Sequence, residues 1–387
     1  MIDARLRQAK PARAKLPFGG VSIILMGDFA QLTPVADPPL FMEPNEQTKN
    51  GKNPQVITGY HLFKEHFSEN SVIFDEVMRQ GPDQEEFKKI LDNLASGKFS
   101  RKDWDVLRTR DLRANFTIEE IKAIKAKSIK ICSRIRDTKK HNKERIKALG
   151  NPILGIRSLN SGGKEAKYAS SNEAQGLLQD MTIAKGCQVL LTRNLWSEAG
   201  LTNGARGEVR YIVYPEDWNG KDLPMVICHF PQYIGPTYVE GEPQCVPILA
   251  EESYFNKNKQ LCIRKMVPLK PGYAISIHSS QGMTLQSVIV DLGPREFAAG
   301  LTYVAPSRVR RMEDLYFDPM YNPPRFYSMA KTKVFAQRRK QDEREKISDE
   351  KYAEKARLVN DLIEKLKTSN LSEVDNSKTE NKQPESD

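Results

Sequence analysis

The sequence predicts an α/β protein in which a parallel sheet is interrupted by a small β module and followed by a charged helical tail. Three observations carry that expectation. Residues 21–28, Val-Ser-Ile-Ile-Leu-Met-Gly-Asp, are a continuous apolar run closed by Gly27-Asp28, the pattern of a strand buried on both faces of a parallel sheet. Ser71-Val72-Ile73-Phe74 leads through Asp75-Glu76-Val77-Met78-Arg79-Gln80 into a helix-period stretch, Phe87, Ile90, Leu91 and Leu94, with Gly97 as its stop. Between about residues 182 and 268 the pattern changes to short β-like runs (187–191, 207–214, 225–230) separated by Gly/Pro turns, as in a small barrel.

The remaining elements follow in order. Met1 to Arg7 reads as an amphipathic helix without the apolar core of a signal peptide. Residues 128–132 are a short strand with the basic run from Arg134 to Lys147 behind it as a helix, and the polar, Gly/Ser-rich residues 158–173 are expected as a surface loop or linker. Tyr273 to His278 and Ser287 to Leu292 are two further strands, so the α/β pattern resumes after the β module. Residues 335–367 alternate Lys, Arg, Glu and Asp, with Val359, Leu362, Ile363 and Leu366 at helical spacing; this predicts a solvated helix, with disorder from Thr368.

A chain of 387 residues exceeds one small domain. Its formal net charge of +10 favours a polyanionic partner, because Lys and Arg that neutralise phosphates release condensed counterions. The five cysteines are widely spaced without a CxxC pair, which argues against a disulfide framework or a zinc site and for a reducing compartment; no metal site is expected. No apolar run is long enough to span a membrane.

Three loops could carry chemistry. In Gly27-Asp28-Phe29-Ala30-Gln31-Leu32-Thr33-Pro34-Val35 a carboxylate and a neutral amide follow a predicted strand, where open α/β sheets place their ligands, and an amide can register a γ-phosphate without adding charge. A turn capped by Asp28 is the plain alternative. In His278-Ser279-Ser280-Gln281-Gly282-Met283-Thr284-Leu285, small residues and a glycine let the backbone approach a phosphodiester while His and Gln bond without sequence preference; a polar turn is the other reading. Gly300 to Arg311 ends in Ser307-Arg308-Val309-Arg310-Arg311, and an arginine brought onto a γ-phosphate stabilises transition-state charge, whereas an Arg-rich helix start can equally be a solvated face.

In this order and at these separations, the three segments resemble the third, fifth and sixth signature motifs of the Pif branch of superfamily one, the Pif/RecD-type ATP-dependent DNA helicases. The 75–80 segment resembles the fourth, and Leu191 to Leu195 with Gly200 to Ala205 resembles the start of that family's β-barrel insertion. The resemblance covers roughly residues 1–320. It implies the C-terminal part of a first RecA-like P-loop domain (1–70), a second RecA-like domain in two parts (71–181 and 269–325), a small SH3-like β-barrel insertion (182–268), and a charged helix with a disordered tail (326–387). Carried onto matching positions, it implies nucleotide contacts from Gly27, Asp28, Gln31, Arg79, Gly282 and Arg308, with Gln31, Arg79 and Arg308 at the γ-phosphate. It implies DNA contacts from His278, Ser280, Gln281, Thr284 and Asn203. ATP and Mg²⁺ are the implied cofactors, single-stranded DNA and duplex junctions the implied partners, the nucleus or mitochondrion the implied location, and genome maintenance the implied role.

The chain departs from the pattern in three places. No Gly-x-x-x-x-Gly-Lys-[Ser/Thr] loop occurs anywhere in it, and the family's Walker-B segment would end at about Met1, so the expectation is an N-terminally truncated motor that does not hydrolyse ATP alone. A catalytically inactive single-stranded-DNA-binding remnant of a mobile-element helicase is the alternative; a truncated gene product of that kind need have no stable partner. Pro306 stands where the family has an apolar helix former, which puts the aim of Arg308 in question, and Ser279 stands where Lys is common.

Overall fold

The computed structural model describes residues 1–34, 37–44, 54–74, 76–214, 216 and 222–379. Val35 and Asp75 of the loops above lie outside them. The chain divides into two compact units, Met1–Met78 with Tyr327–Asp387, and Arg79–Phe326. The break therefore falls eight residues after the one expected at residue 70, and the charged tail groups with the first unit.

The second unit holds the parallel sheet. Its strands are β1 (Ile129–Cys132), β12 (Ala274–Ser276), β13 (Val288–Asp291) and β14 (Leu315–Phe317), in the order β12-β1-β13-β14. All pairings are parallel, and β1, from before the β module, lies between two strands that follow it. The module is thus an insertion into one sheet. Edge strand β12 is closed by a side chain: Asn142, from helix Ile135–Lys147, donates to Ala274 O at 2.9 Å and accepts the Ala274 N–H at 2.8 Å. Satisfying exposed edge groups in this way removes a template for unwanted pairing. The helix predicted over 87–94 is present as Glu85–Ser96, buries Phe87, Ile90, Leu91 and Leu94, and stops at Gly97 with φ 70°.

The β module starts earlier than the sequence suggested. It comprises β2 (Ile153–Arg157), β3 (Leu159–Ser161), β4 (Asp180–Ala184), β5 (Gln188–Leu191), β6 (Arg206–Val213), β7 (Met225–His229), β8 (Cys245–Ile248), β9 (Glu251–Lys257), β10 (Gln260–Met266) and β11 (Leu269–Pro271). These form a five-stranded sheet β11-β5-β6-β7-β8, a three-stranded sheet β3-β10-β9 and the ribbon β2-β4. Residues 158–173, expected as a surface loop or linker, instead contribute β3 and the buried Ala166 and Ala169. The cause lies about a hundred residues away. Arg264, fully buried, donates to Asn160 Oδ1 (3.0 Å) and to the carbonyls of Leu177 (3.1 Å), Ala166 (2.9 Å) and Ala169 (2.9 Å), so its fork gathers the segment into the module core. One arginine ties the module to the α/β part: Arg206 of β6 donates to Lys127 O (2.8 Å) at the C-terminal end of helix Ile118–Lys127, where Arg145 of helix Ile135–Lys147 donates to the neighbouring Lys125 O (3.1 Å). All five cysteines are buried and free.

The first unit contradicts one expectation directly. Residues 21–28 form no strand: they join no sheet among the described residues, and Ile24 (88% exposed) and Met26 (85%) face outward. An apolar run becomes a buried strand only when neighbours supply ladder partners and cover both faces, and neither condition holds here. Residues 71–74 are likewise no strand, with Phe74 86% exposed. Their backbone is met by side chains of helix Lys333–Thr379: Ser348 Oγ accepts the Ser71 N–H (2.9 Å) and donates to Ser71 O (3.2 Å), and Asp349 Oδ1 accepts the Ile73 N–H (3.0 Å). That helix is not the wholly solvated one expected, since Phe335, Arg338, Gln341 and Ser348 are buried, and it continues past Thr368, where disorder was expected to begin. Residues 380–387 lie outside the described set. Phe29 meets Phe41 and Phe63 edge-on at 5.1 and 5.6 Å, forming the small aromatic centre of this unit.

Replacing Arg264 by Met leaves three buried carbonyls and an amide oxygen without donors, so chemical denaturation of R264M is expected to show a loss on the order of 3–5 kcal/mol. A loss under about 0.5 kcal/mol would show that the cage does not hold the 158–177 segment.

Candidate functional site

In the second unit, three segments far apart in sequence converge at the start of the loop after β12. Ser276 caps a single helical turn, Ile277–Ser280, by accepting the Ser279 N–H at 3.2 Å. Ser280 is fully buried and its hydroxyl donates to Ile277 O at 2.8 Å. Its expected role at a DNA backbone is therefore corrected: the hydroxyl closes the turn and faces no solvent. Gln281, Gly282 and Thr284 are exposed, His278 is half-buried, and Gly282 has φ +81° with no atom within 4 Å of where a Cβ would stand. The loop thus presents main chain and short polar groups to solvent, which suits close approach of a sugar–phosphate strand.

Arg79 joins this loop to the arginine-rich segment. Its Nε donates to Thr284 Oγ1 (3.1 Å) and its Nη1 to Ser307 O (3.0 Å). Next to it the buried Gln80 donates to Val309 O at 2.8 Å. The loop and the segment are also linked by backbone, through a parallel bridge Leu285↔Val309 and a bond from Leu285 N to Arg308 O at 2.8 Å. A displacement of Thr284 is therefore felt directly at residues 307–309. Sequence reading identified Arg79, Thr284 and Arg308 but missed Gln80, Ser307 and Val309; Ser307 and Val309 meet Arg79 and Gln80 through their carbonyls, which no residue pattern reveals.

Arg308 is placed differently from an arginine reaching outward. It is 1% exposed, with Nε donating to Val304 O (2.9 Å) and Nη2 to Ser307 Oγ (2.7 Å). Pro306 causes no distortion: the helix Leu301–Val304 ends before it, and Pro306 opens a separate 3₁₀ turn, Pro306–Arg308, where a missing N–H costs nothing. Asn203, from the β module, is exposed with its N–H on Asn194 Oδ1 at 2.7 Å. Its neighbour Gly204 has φ +90°, and a Cβ there would lie 2.9 Å from Met283 Cε, so the Asn203 turn abuts the 278–285 loop.

In the first unit, Gly27, Asp28 and Gln31 form one exposed turn. Asp28 accepts the Ala30 N–H (2.8 Å) and the Gln31 side-chain amide (3.3 Å), and Asp28 O accepts the Gln31 N–H (3.1 Å). The carboxylate therefore orients the amide, in the Asp28-closed turn that was the plain reading of this loop. Asp342 and Glu345, half-buried on the Lys333–Thr379 helix, have their carboxyl pKa values raised, first by burial; the Asp28 charge adds to the effect. Among the described residues there is no group of three or more His, Cys, Asp or Glu that could hold a metal ion, and no helix is long and apolar enough to cross a membrane.

With this geometry in hand, comparison with known proteins is informative. No protein-family model matches the chain. A protein of Trypanosoma brucei brucei named ATP-dependent DNA helicase PIF6 is 29% identical over 359 residues, 90% of this chain and 42% of that protein. Human ATP-dependent DNA helicase PIF1 is 30% identical over 315 residues, 79% of this chain and 42% of the human protein. The chain thus spans under half the length of these relatives. A crystal structure of a Bacteroides Pif1 helicase, in complex with ADP-AlF3 and single-stranded DNA, matches with a TM-score of 0.54 at 20% identity, covering 83% of this chain and 67% of that one. At that identity the likeness speaks to the fold alone, a RecA-like α/β arrangement.

If Gln80 holds the two segments together, Gln80→Leu strands the Val309 carbonyl, and urea denaturation is expected to show a loss of about 1–3 kcal/mol. Unchanged stability would remove Gln80 from the account.

Proposed function

The chain is homologous to the PIF1-type ATP-dependent DNA helicases, and from that premise we propose that it is the DNA-gripping and force-coupling part of an ATP-driven translocase on single-stranded DNA. The observation that carries the proposal is the single guanidinium of Arg79 bonded to both Thr284 and Ser307, which makes an exposed polar loop and an arginine-bearing segment move as one body. His278, Gln281 and Thr284 contact the strand, with Asn203 beside them. Gly282 lets the backbone approach. Gln31, oriented by Asp28, reads a γ-phosphate, and within the second unit Arg79 and Arg308 carry the phosphate response.

ATP with Mg²⁺ supplies the energy by phosphoryl transfer when bound. The residues present fit only part of that group: amides and guanidiniums suited to a γ-phosphate are here, while a P-loop lysine and its glycines are not in the sequence. We therefore assign this chain the coupling residues and no hydrolysis of its own. An SH3-like role for the β module, action at duplex junctions, a part in genome maintenance, and residence in nucleus or mitochondrion extend the same reading. The lack of a P-loop is also what favours the second reading, a single-stranded-DNA-binding remnant without turnover.

The two readings separate in one experiment. ATP hydrolysis is measured, with and without single-stranded DNA, for the chain alone and for the chain carrying a P-loop-bearing segment of a PIF1-type helicase ahead of Met1. DNA-stimulated turnover in the extended form only is the expected result. Stimulated turnover by the 387-residue chain alone would overturn the assignment, and DNA binding without turnover in either form would favour the remnant.

A further inference from the structure

We propose that Arg325, through its buried pair with Glu296, is a positioning residue that sets where Ser307 and Arg308 sit, a role that rests on the motor reading above. The two side chains are 4% and 2% exposed, and Arg325 Nη1 lies 3.1 Å from Glu296 Oε2. A buried ion pair is weak support for stability, since desolvation consumes most of its attraction, so a pair kept this deep calls for another account. Its remaining bonds supply one. Arg325 also donates from Nη1 to Thr302 Oγ1 (2.8 Å), from Nε to Gly293 O (2.9 Å) and from Nη2 to Leu292 O (3.0 Å). Glu296 accepts the Thr302 N–H (3.1 Å) on one oxygen and the Thr302 hydroxyl (2.6 Å) on the other.

Thr302 lies in the first turn of helix Leu301–Val304, whose preceding residue, Gly300, has no side chain to cap it. One helical turn does not hold itself in water, because nucleation fixes several residues for a single bond. Glu296 therefore takes over the capping, and Arg325 fixes Glu296. The far end of the same turn is Val304, whose carbonyl accepts both Ser307 Oγ (3.0 Å) and Arg308 Nε (2.9 Å). Ser307 O in turn receives Arg79. The positions of Ser307 and Arg308 are inherited, bond by bond, from this pair through Thr302 and Val304. The other end of this linkage is anchored too: Phe326, next to Arg325, stacks on Phe99 at 5.3 Å with planes 17° apart, so Arg325 starts from packed ground.

Two variants test this. Arg325→Lys keeps the charge and loses the fork; Thr302→Val leaves the ion pair and the residue-302 N–H on Glu296 in place and removes the hydroxyl that links the helix to both members of the pair. In the 387-residue chain, amide hydrogen exchange of residues 301–309 is expected to accelerate about tenfold or more in both, while β1 and β13 keep their protection. In the form extended by a P-loop segment, kcat is expected to fall about tenfold, with KM for ATP and affinity for single-stranded DNA within about twofold of the parent. Unchanged exchange at 301–309, or unchanged kcat in Thr302→Val, overturns the proposal, and Thr302→Val decides if Arg325→Lys fails to fold. Arg308→Ala separates the two claims. If it abolishes turnover while Thr302→Val leaves kcat unchanged, the positioning role fails; if it leaves turnover intact, the motor reading fails.

Discussion

The arrangement turns on one guanidinium held between a side-chain hydroxyl and a main-chain carbonyl. Arg79 is half-buried and spends its donors on Thr284 Oγ1 and Ser307 O, groups that belong to different loops of the second unit. An arginine suits this task because its donors lie in a rigid plane, so one end cannot shift without carrying the other. Around it the backbone bond from Leu285 N to Arg308 O and the Gln80 amide on Val309 O reinforce the same joint. The parallel sheet presents these loops, and the remaining contacts of the region keep this joint in register.

Much of that design could be read from residues alone. Apolar strands β1, β12 and β13, the helix ending at Gly97, and the return of the α/β pattern after the β module follow from periodicity and glycine placement. Three things could not be read. The apolar run 21–28 has the composition of a buried strand, but burial depends on neighbours that composition does not contain. The polar stretch 158–173 looked like a linker because its alanines are small and its anchor, Arg264, lies about a hundred residues on. Ser280 and Arg308 belong to recognisable motifs, yet motif membership gives no side-chain direction, and both are turned inward.

A common physical device recurs where backbone groups lack ladder partners. Asn142 serves both the N–H and C=O of Ala274, Ser348 serves both of Ser71, and Glu296 caps a helix whose preceding residue is glycine. In each case a side chain from outside the segment satisfies backbone groups that have no ladder partner. The result is a unit in which local conformation is set by long-range polar contacts, and in which small movements of one loop have defined partners elsewhere.

The central claim is that DNA contact and phosphate response are joined at Arg79. It is tested most directly by a double-mutant cycle on the DNA stimulation of ATP hydrolysis, using Thr284→Val, Arg79→Lys and the pair in the P-loop-extended form. Each single change is predicted to remove most of the stimulation while single-stranded DNA still binds, and the pair to do no more than either alone. Losses that simply multiply would mean the two residues act independently, and the joint described here would not be the coupling element.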